Sequence, residues 1–172
     1  MPQHNRQTET SGPPTVEDVE QWLFGLGQFT LQLDGCRLTA PSPLCRRLGP
    51  LRQQPFVFSI WHGPRLRIIP QAFWTPYLNC LRAEIPDPVT AGKLVSCLRQ
   101  ECKVGALDHR HRWDLPVAQA QLVGLVSAQN SVVLLPYRFW LELLSRKAWE
   151  ERMTQTLHYA RDAALLQVDF EI

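Results

Sequence analysis

The pattern of apolar and polar positions along the chain predicts a mixture of strands and helices. Short runs rich in branched and aromatic residues predict strands at 29–33, 55–60, 65–70, 104–107, 125–129 and 132–136. Apolar spacing of three and four residues, or a proline start with a glycine stop, predicts helices near 16–24, 43–48, 71–83, 89–103, 116–123 and 137–165. The predicted fold class is α+β, with small sheets and peripheral helices.

Turn-forming residues separate the predicted strands. The tetrapeptide WHGP at 61–64 predicts a turn between the second and third strands. Asn130-Ser131 predicts a tighter hairpin between the last two strands. The polar segment 1–23 has few apolar groups to bury, so we expect a flexible N-terminal arm that ends in a short helix.

The two halves of the chain repeat one another. The matched positions are Leu33-Asp34 with Leu107-Asp108, Arg37 with Arg112, Pro41 with Pro116, and Gly49 with Gly124. Further along, IIPQAFW at 68–74 recurs as LLPYRFW at 134–140. The offset is 74 at the aspartate, 75 from the arginine to the glycine, and 66 at Phe-Trp, which predicts nine missing residues (75 minus 66) in the second half. We interpret this as an internal duplication with repeats at 24–86 and 87–172.

The composition indicates the cellular compartment of the protein more clearly than it indicates the binding partner. The net charge is only +2, but fifteen of the eighteen cations are Arg, whose planar fork suits phosphates, guanine edges and interface ion pairs alike. Five cysteines without a C-x-x-C motif predict reduced thiols in a cytoplasmic protein. The sequence has neither an apolar run of membrane-spanning length nor a signal-peptide pattern, so we expect no membrane association.

The stretch LDHRHRWDLP at 107–116 carries the densest candidate chemistry. His109 and His111 are spaced to bind one zinc ion together with Cys102, but a fourth ligand is not evident. Asp108 beside a histidine is a candidate acid–base pair, yet no nucleophile elbow or glycine-rich phosphate loop accompanies it. We therefore expect no metal, no cofactor and no enzymatic activity. The favoured interpretation is an exposed basic loop that contacts a polyanion, and the alternative is a structural loop salt bridge.

With its counterpart at 33–41, this stretch resembles a known family. The segment LGQFTLQLDGCRLTAP at 26–41 resembles the opening of MraZ proteins, whose halves each carry the motif D-x-x-G-R-x-x-x-P. MraZ proteins are similar in fold to AbrB-type transcription factors. The resemblance spans about 24–165 and implies two tandem AbrB-like β-α-β-β-α repeats with small, intertwined β-sheets and peripheral helices.

The resemblance also implies a function. It points to a sequence-specific transcriptional regulator of a cell-division and cell-wall gene cluster, a nucleoid-associated ring-like homo-oligomer that binds repeated operator sites on double-stranded DNA. The implied DNA-binding residues are Asp34, Arg37, Asp108 and Arg112, and Arg110 adds attraction for phosphates. An Arg donates two hydrogen bonds to a guanine edge, and we expect each Asp to orient its Arg or to bind loop N–H groups.

The sequence departs from the family motif in both loops. Cys36 and His111 replace the glycine before the arginine, and a side chain there costs energy if the position needs positive φ. The first loop is also one residue short. These departures favour an alternative function: a degenerate MraZ-like scaffold that binds a protein partner through its Trp-rich C-terminal helix, without specific DNA binding.

Overall fold

A computed structural model describes residues 12–61, 63–126 and 130–168, with only the backbone described for Trp61 and 161–168. The elements of the first half are α1 (Val16–Leu23), β1 (Phe29–Gln32), β2 (Arg37–Thr39), α2 (Ser42–Leu48), β3 (Phe56–Trp61), β4 (Arg65–Pro70) and α3 (Trp74–Glu84). Those of the second half are α4 (Pro88–Glu101), β5 (Lys103–Gly105), β6 (Arg112–Asp114), α5 (Val117–Leu122), β7 (Ser131–Tyr137), β8 (Trp140–Ser145) and α6 (Arg146–Val168). Short 3₁₀ turns at Gly49–Gln53 and Gln71–Phe73 lead into β3 and α3.

Local signals explain where the helices start. Thr15 caps α1 in a reciprocal arrangement with Asp18, and Asp87 accepts hydrogen bonds from the first N–H groups of α4. The predicted α+β class is confirmed, since helices surround antiparallel sheets. Of the predicted N-terminal arm, residues 1–11 lie outside the described residues. No helix in the described ranges is long and apolar enough to cross a bilayer.

The predicted helix at 137–165 is wrong at its start. Trp140–Ser145 forms strand β8, which pairs with β7 through a turn at Arg138-Phe139, and α6 begins only at Arg146. Strand β8 is buried on both faces, so its apolar residues do not alternate with polar ones and their spacing imitates that of a helix. The strand expected at 125–129 is not seen in its described part, Leu125 and Val126, and the rest lies outside the described residues.

A constant shift in residue number relates the two halves. Arg67 of β4 and Glu142 of β8 are separated by 75 in the numbering, and the same shift converts the bounds of β2 and β4 into those of β6 and β8. It also takes Trp74, the first residue of α3, to Trp149 in α6. The alignment of the two Phe-Trp pairs at an offset of 66, and the nine missing residues inferred from it, were therefore wrong. The segment IIPQAFW follows the end of a hairpin, whereas LLPYRFW contains the turn between β7 and β8.

Strands from the two halves are interleaved in both sheets. The six-stranded sheet has the order β1-β7-β8-β4-β3-β5, and the second sheet pairs β2 with β6. Strand β1 of the first half thus pairs with β7 of the second, and β5 of the second half pairs with β3 of the first. The smaller sheet packs on the larger one, with the rings of Trp113 and Phe56 meeting edge to face at 5.3 Å between centroids.

A local two-fold axis relates the paired strands. In the β4–β8 pairing, Arg67 lies opposite Glu142, and in the β2–β6 pairing, Leu38 lies opposite Trp113. Each of these pairs joins two positions that the constant shift makes equivalent. Every residue on the axis therefore faces its own counterpart from the other half.

The axis of the larger sheet passes through a buried ionic cluster. The carboxylate of Glu142 is fully buried and accepts hydrogen bonds from Arg67 Nε at 3.1 Å, Arg152 Nη1 at 3.1 Å and Arg65 Nη1 at 3.4 Å. Arg67 also donates from Nη1 to the hydroxyl of Tyr77 at 3.0 Å. One carboxylate therefore contacts three guanidinium groups, of which Arg67 is buried and Arg65 and Arg152 are partly exposed. A buried charge that loses its partner is costly.

We expect Glu142→Gln to lower the free energy of unfolding by about 3–5 kcal/mol, because it removes the negative charge that the buried Arg67 guanidinium contacts. Urea denaturation followed by circular dichroism measures the change. The matched control is Glu150→Gln, which removes an exposed ion pair with Arg146 and should cost only about 0.3–0.5 kcal/mol. Equal losses in the two variants would show that the cluster does not stabilise the pairing of β4 with β8.

Candidate nucleic-acid interface

The loop at 108–112, here called the second loop, is organised by the carboxylate of Asp108. Its Oδ1 accepts hydrogen bonds from the backbone N–H groups of Arg110 at 2.8 Å and Arg112 at 2.9 Å. Its Oδ2 accepts from Arg112 Nε at 2.8 Å and lies 2.7 Å from Nη2. The aspartate therefore makes both contacts expected from the sequence, since it binds loop N–H groups and orients the arginine.

The same contacts lower the pKa of the Asp108 carboxyl. The side-chain hydrogen bond from Arg112 is the main cause that holds the pKa of Asp108 well below its usual value, and the two backbone N–H groups act in the same direction. The carboxylate thus stays ionised wherever the protein is folded near neutral pH. Its negative charge keeps the Arg112 fork in one orientation.

The two departures from the family glycine have different consequences. His111 has a φ of 58°, so a side chain does occupy the left-handed region there, a conformation that histidine adopts more readily than most residues. Its N–H donates to the carbonyl of Asp108 at 2.9 Å, which closes the turn. In the first loop, 34–37, the positive φ falls on Gly35 instead, at 62°, and Cys36 avoids it. The shorter loop has moved the strained position onto a glycine.

The first loop holds its arginine through a different partner. Asp34 and Arg37 exchange two backbone hydrogen bonds, of 3.0 and 2.9 Å, which form a tight turn. Within the described residues, no hydrogen bond joins the Asp34 carboxylate to the Arg37 side chain. Instead, Arg37 Nε donates to Asp114 Oδ1 at 2.8 Å, and this bond is the main cause that raises the pKa of Arg37. Asp114, from the other half, takes the orienting role expected of Asp34.

Strands β2 and β6 bring the two arginines onto one surface. Their register pairs Arg37 with Asp114 and Thr39 with Arg112, while Leu38 and Trp113 between them are fully buried. Side chains alternate along each strand, so the four polar residues share the outer face. We call this surface the ribbon face. Arg37 and Asp114 are exposed on it, with 43% and 78% of their side-chain surface accessible, and Arg112 is partly exposed at 23%.

The tip of the second loop extends the basic character of the ribbon face. His109, Arg110 and His111 are all exposed there. Among the residues that the structure describes, no group of three or more His, Cys, Asp and Glu side chains is arranged to hold a metal ion. All five residues selected from the sequence thus lie on or beside the ribbon face, at the two loops.

Asp114 is the site residue that sequence reasoning missed. The order polar, apolar, polar in Arg112-Trp113-Asp114 is the pattern of a half-buried strand and places Asp114 on the same side as Arg112. The contact with Arg37 depends on strand register between residues 77 apart.

Comparison of the sequence with protein-family models and with curated proteins finds no match. The features of the chain that bear on its function are the loop motifs and the geometry of the ribbon face.

We expect the Asp108 carboxyl to remain ionised at about pH 3, below the ordinary aspartate value of 3.8. Because its pKa is lowered by folding, its contribution to stability is complete above that ordinary value and is lost only as the pH falls through the lower, folded-state pKa. Carbon-detected NMR of the carboxyl resonance measures this titration. In Arg112→Ala, the midpoint should rise toward 3.8. A wild-type midpoint near 3.8 would contradict the bidentate contact.

Proposed function

We propose that this protein is a sequence-specific DNA-binding transcriptional regulator of the MraZ type. The observation that carries the proposal is the ribbon face, where Arg37 and Arg112 come together, each held by a carboxylate. The proposed fold is a pair of tandem AbrB-like repeats. The interleaved strands support it, as does the constant shift that relates β2 to β6 and β4 to β8.

The arrangement of both arginines suits recognition of base edges. Asp114 contacts Arg37 at Nε, and Asp108 contacts Arg112 at Nε and Nη2, so these contacts leave Nη1 of both arginines and further Nη2 protons available. A fork already held in place loses little side-chain entropy when it binds. The major groove of B-DNA admits a two-stranded β-ribbon, and an arginine there donates two hydrogen bonds to a guanine.

The second loop supplies attraction for the phosphate backbone. Arg110 is exposed, and its backbone N–H is bound to Asp108, so the loop presents this cation from a fixed position. Contacts of this kind release counterions from DNA and make the affinity fall steeply as salt rises.

The family resemblance supplies the rest of the proposal. The protein is proposed to be cytoplasmic and nucleoid-associated, to form a ring-like homo-oligomer, and to bind operators at a cell-division and cell-wall gene cluster. Repeated operator sites suit such an assembly, because several weak contacts within one ring add up to high avidity.

A second candidate function rests on α6. Among the described side chains beyond its first turns, this helix exposes the large apolar residues Met153, Leu157 and Tyr159, at 38%, 65% and 76%. Exposed apolar residues on one helix are a common feature of protein interfaces. On this alternative, the scaffold has lost specific DNA binding and binds a protein partner through α6.

We expect the protein to bind the DNA upstream of its own gene in a strongly salt-dependent manner, measured by fluorescence anisotropy at low and moderate salt. Each good arginine–guanine contact contributes about 1–3 kcal/mol, so Arg37→Ala and Arg112→Ala should each weaken binding roughly 5- to 150-fold. The matched control is Arg146→Ala, which also removes an exposed arginine paired with a carboxylate but lies away from the ribbon face, on α6.

The control variant should bind like the wild type. Binding no tighter than to random duplex, or binding insensitive to salt, would contradict the proposal. Those outcomes would favour the protein-interaction function, for which Leu157→Ser on α6 is the corresponding variant.

A further inference from the structure

The ribbon face has its own two-fold symmetry. Its central pair, Leu38 and Trp113, joins equivalent positions of the two repeats, so rotation by half a turn exchanges β2 with β6. The same rotation takes Arg37, opposite Asp114, onto Arg112, opposite Thr39. The two arginines are therefore equivalent positions on either side of one axis, within one chain.

This symmetry constrains what the ribbon can contact. The two-fold axis of an antiparallel strand pair is perpendicular to the ribbon and emerges through its outer face. Duplex DNA also has local two-fold axes, and a symmetric protein surface is matched by a symmetric base sequence. When the axes coincide, two equivalent side chains reach opposite strands of the DNA.

We infer that a single chain recognises a short inverted repeat in double-stranded DNA, with Arg37 contacting a guanine on one strand and Arg112 the equivalent guanine on the other. This inference rests on the proposed function and specifies its ligand. A chain that recognised one asymmetric site would not divide it in this way. Here, each half of the inverted repeat is contacted by one half of the protein.

The spacing of the arginines limits the length of the element. Arg112 pairs with Thr39, which is two residues after Arg37, so the two arginines are separated by about 7 Å along the ribbon. Successive base pairs are about 3.4 Å apart along the duplex, so the two contacted guanines lie roughly two base-pair steps apart, plus the reach of the side chains. The recognised element is accordingly compact.

The two halves of the recognised element are expected to be similar but not identical. Asp114 in β6 stands where β2 has Thr39, so only one of these two equivalent ribbon positions carries a carboxylate. An aspartate accepts a hydrogen bond from a cytosine amino group, whereas a threonine hydroxyl is less selective. The sequence preference at the flanking base is therefore expected to differ between the halves.

The test is selection of duplexes from a random pool by the full-length chain, followed by sequencing. The wild type should enrich a motif with two guanines on opposite strands, related by a two-fold axis. Arg37→Lys and Arg112→Lys keep the charge but remove the fork, so each should lose the base preference in one half only, by about 5- to 150-fold at the guanine. Denaturation midpoints of both variants check that folding is unchanged.

A second measurement separates the inference from the function on which it rests. A synthetic duplex with the two enriched half-elements in inverted order should bind at least about tenfold more tightly than the same halves arranged as a direct repeat. An enriched motif without two-fold symmetry, or loss of the same bases in both lysine variants, would overturn the inference and leave the DNA-binding function standing. A wild type that enriches no sequence at all would overturn both.

Discussion

The buried pair of Arg67 and Glu142 determines how the two halves of this protein fit together. Both residues occupy equivalent positions in the two halves, 75 apart in the numbering, and meet on the axis of the β4–β8 pairing. If two copies of one repeat paired in this way, two guanidinium groups or two carboxylates would face each other in the interior. A buried like-charge contact is strongly unfavourable, so opposite charges select the pairing of first half with second half. Leu38 and Trp113 also favour the pairing of first half with second half, because the smaller leucine leaves room for the larger tryptophan in the core.

The candidate site is a consequence of that pairing. Arg37 and Asp114 belong to different halves and meet only because β2 and β6 lie side by side in register. The contact between Asp108 and Arg112, by contrast, is made within five consecutive residues and needs no partner from the other half. One arginine is thus oriented locally and the other through the tertiary structure. Any change that loosens the association of the halves should disturb Arg37 before it disturbs Arg112.

The two loops also show how two versions of one motif reach a similar geometry. Each loop needs one residue in the left-handed region, and the longer loop places His111 there at some conformational cost. The four backbone and side-chain bonds to the Asp108 carboxylate and carbonyl hold that turn together. The shorter loop uses Gly35 for the same purpose and needs no such network. The two loops differ in both length and glycine position, and both arginines reach the same face.

The sequence alone determined the features that depend on neighbouring residues: the α+β class, the 55–70 hairpin and the contact of Asp108 with Arg112. It misassigned Trp140–Ser145, because a strand covered on both faces lacks the polar alternation that identifies strands. It also assigned the orienting role in the first loop to Asp34 and missed Asp114, because the partner of Arg37 follows from the register between strands distant in the chain. Local propensities act over a few residues, whereas burial on two faces and the pairing of the repeats arise only when the whole core has assembled.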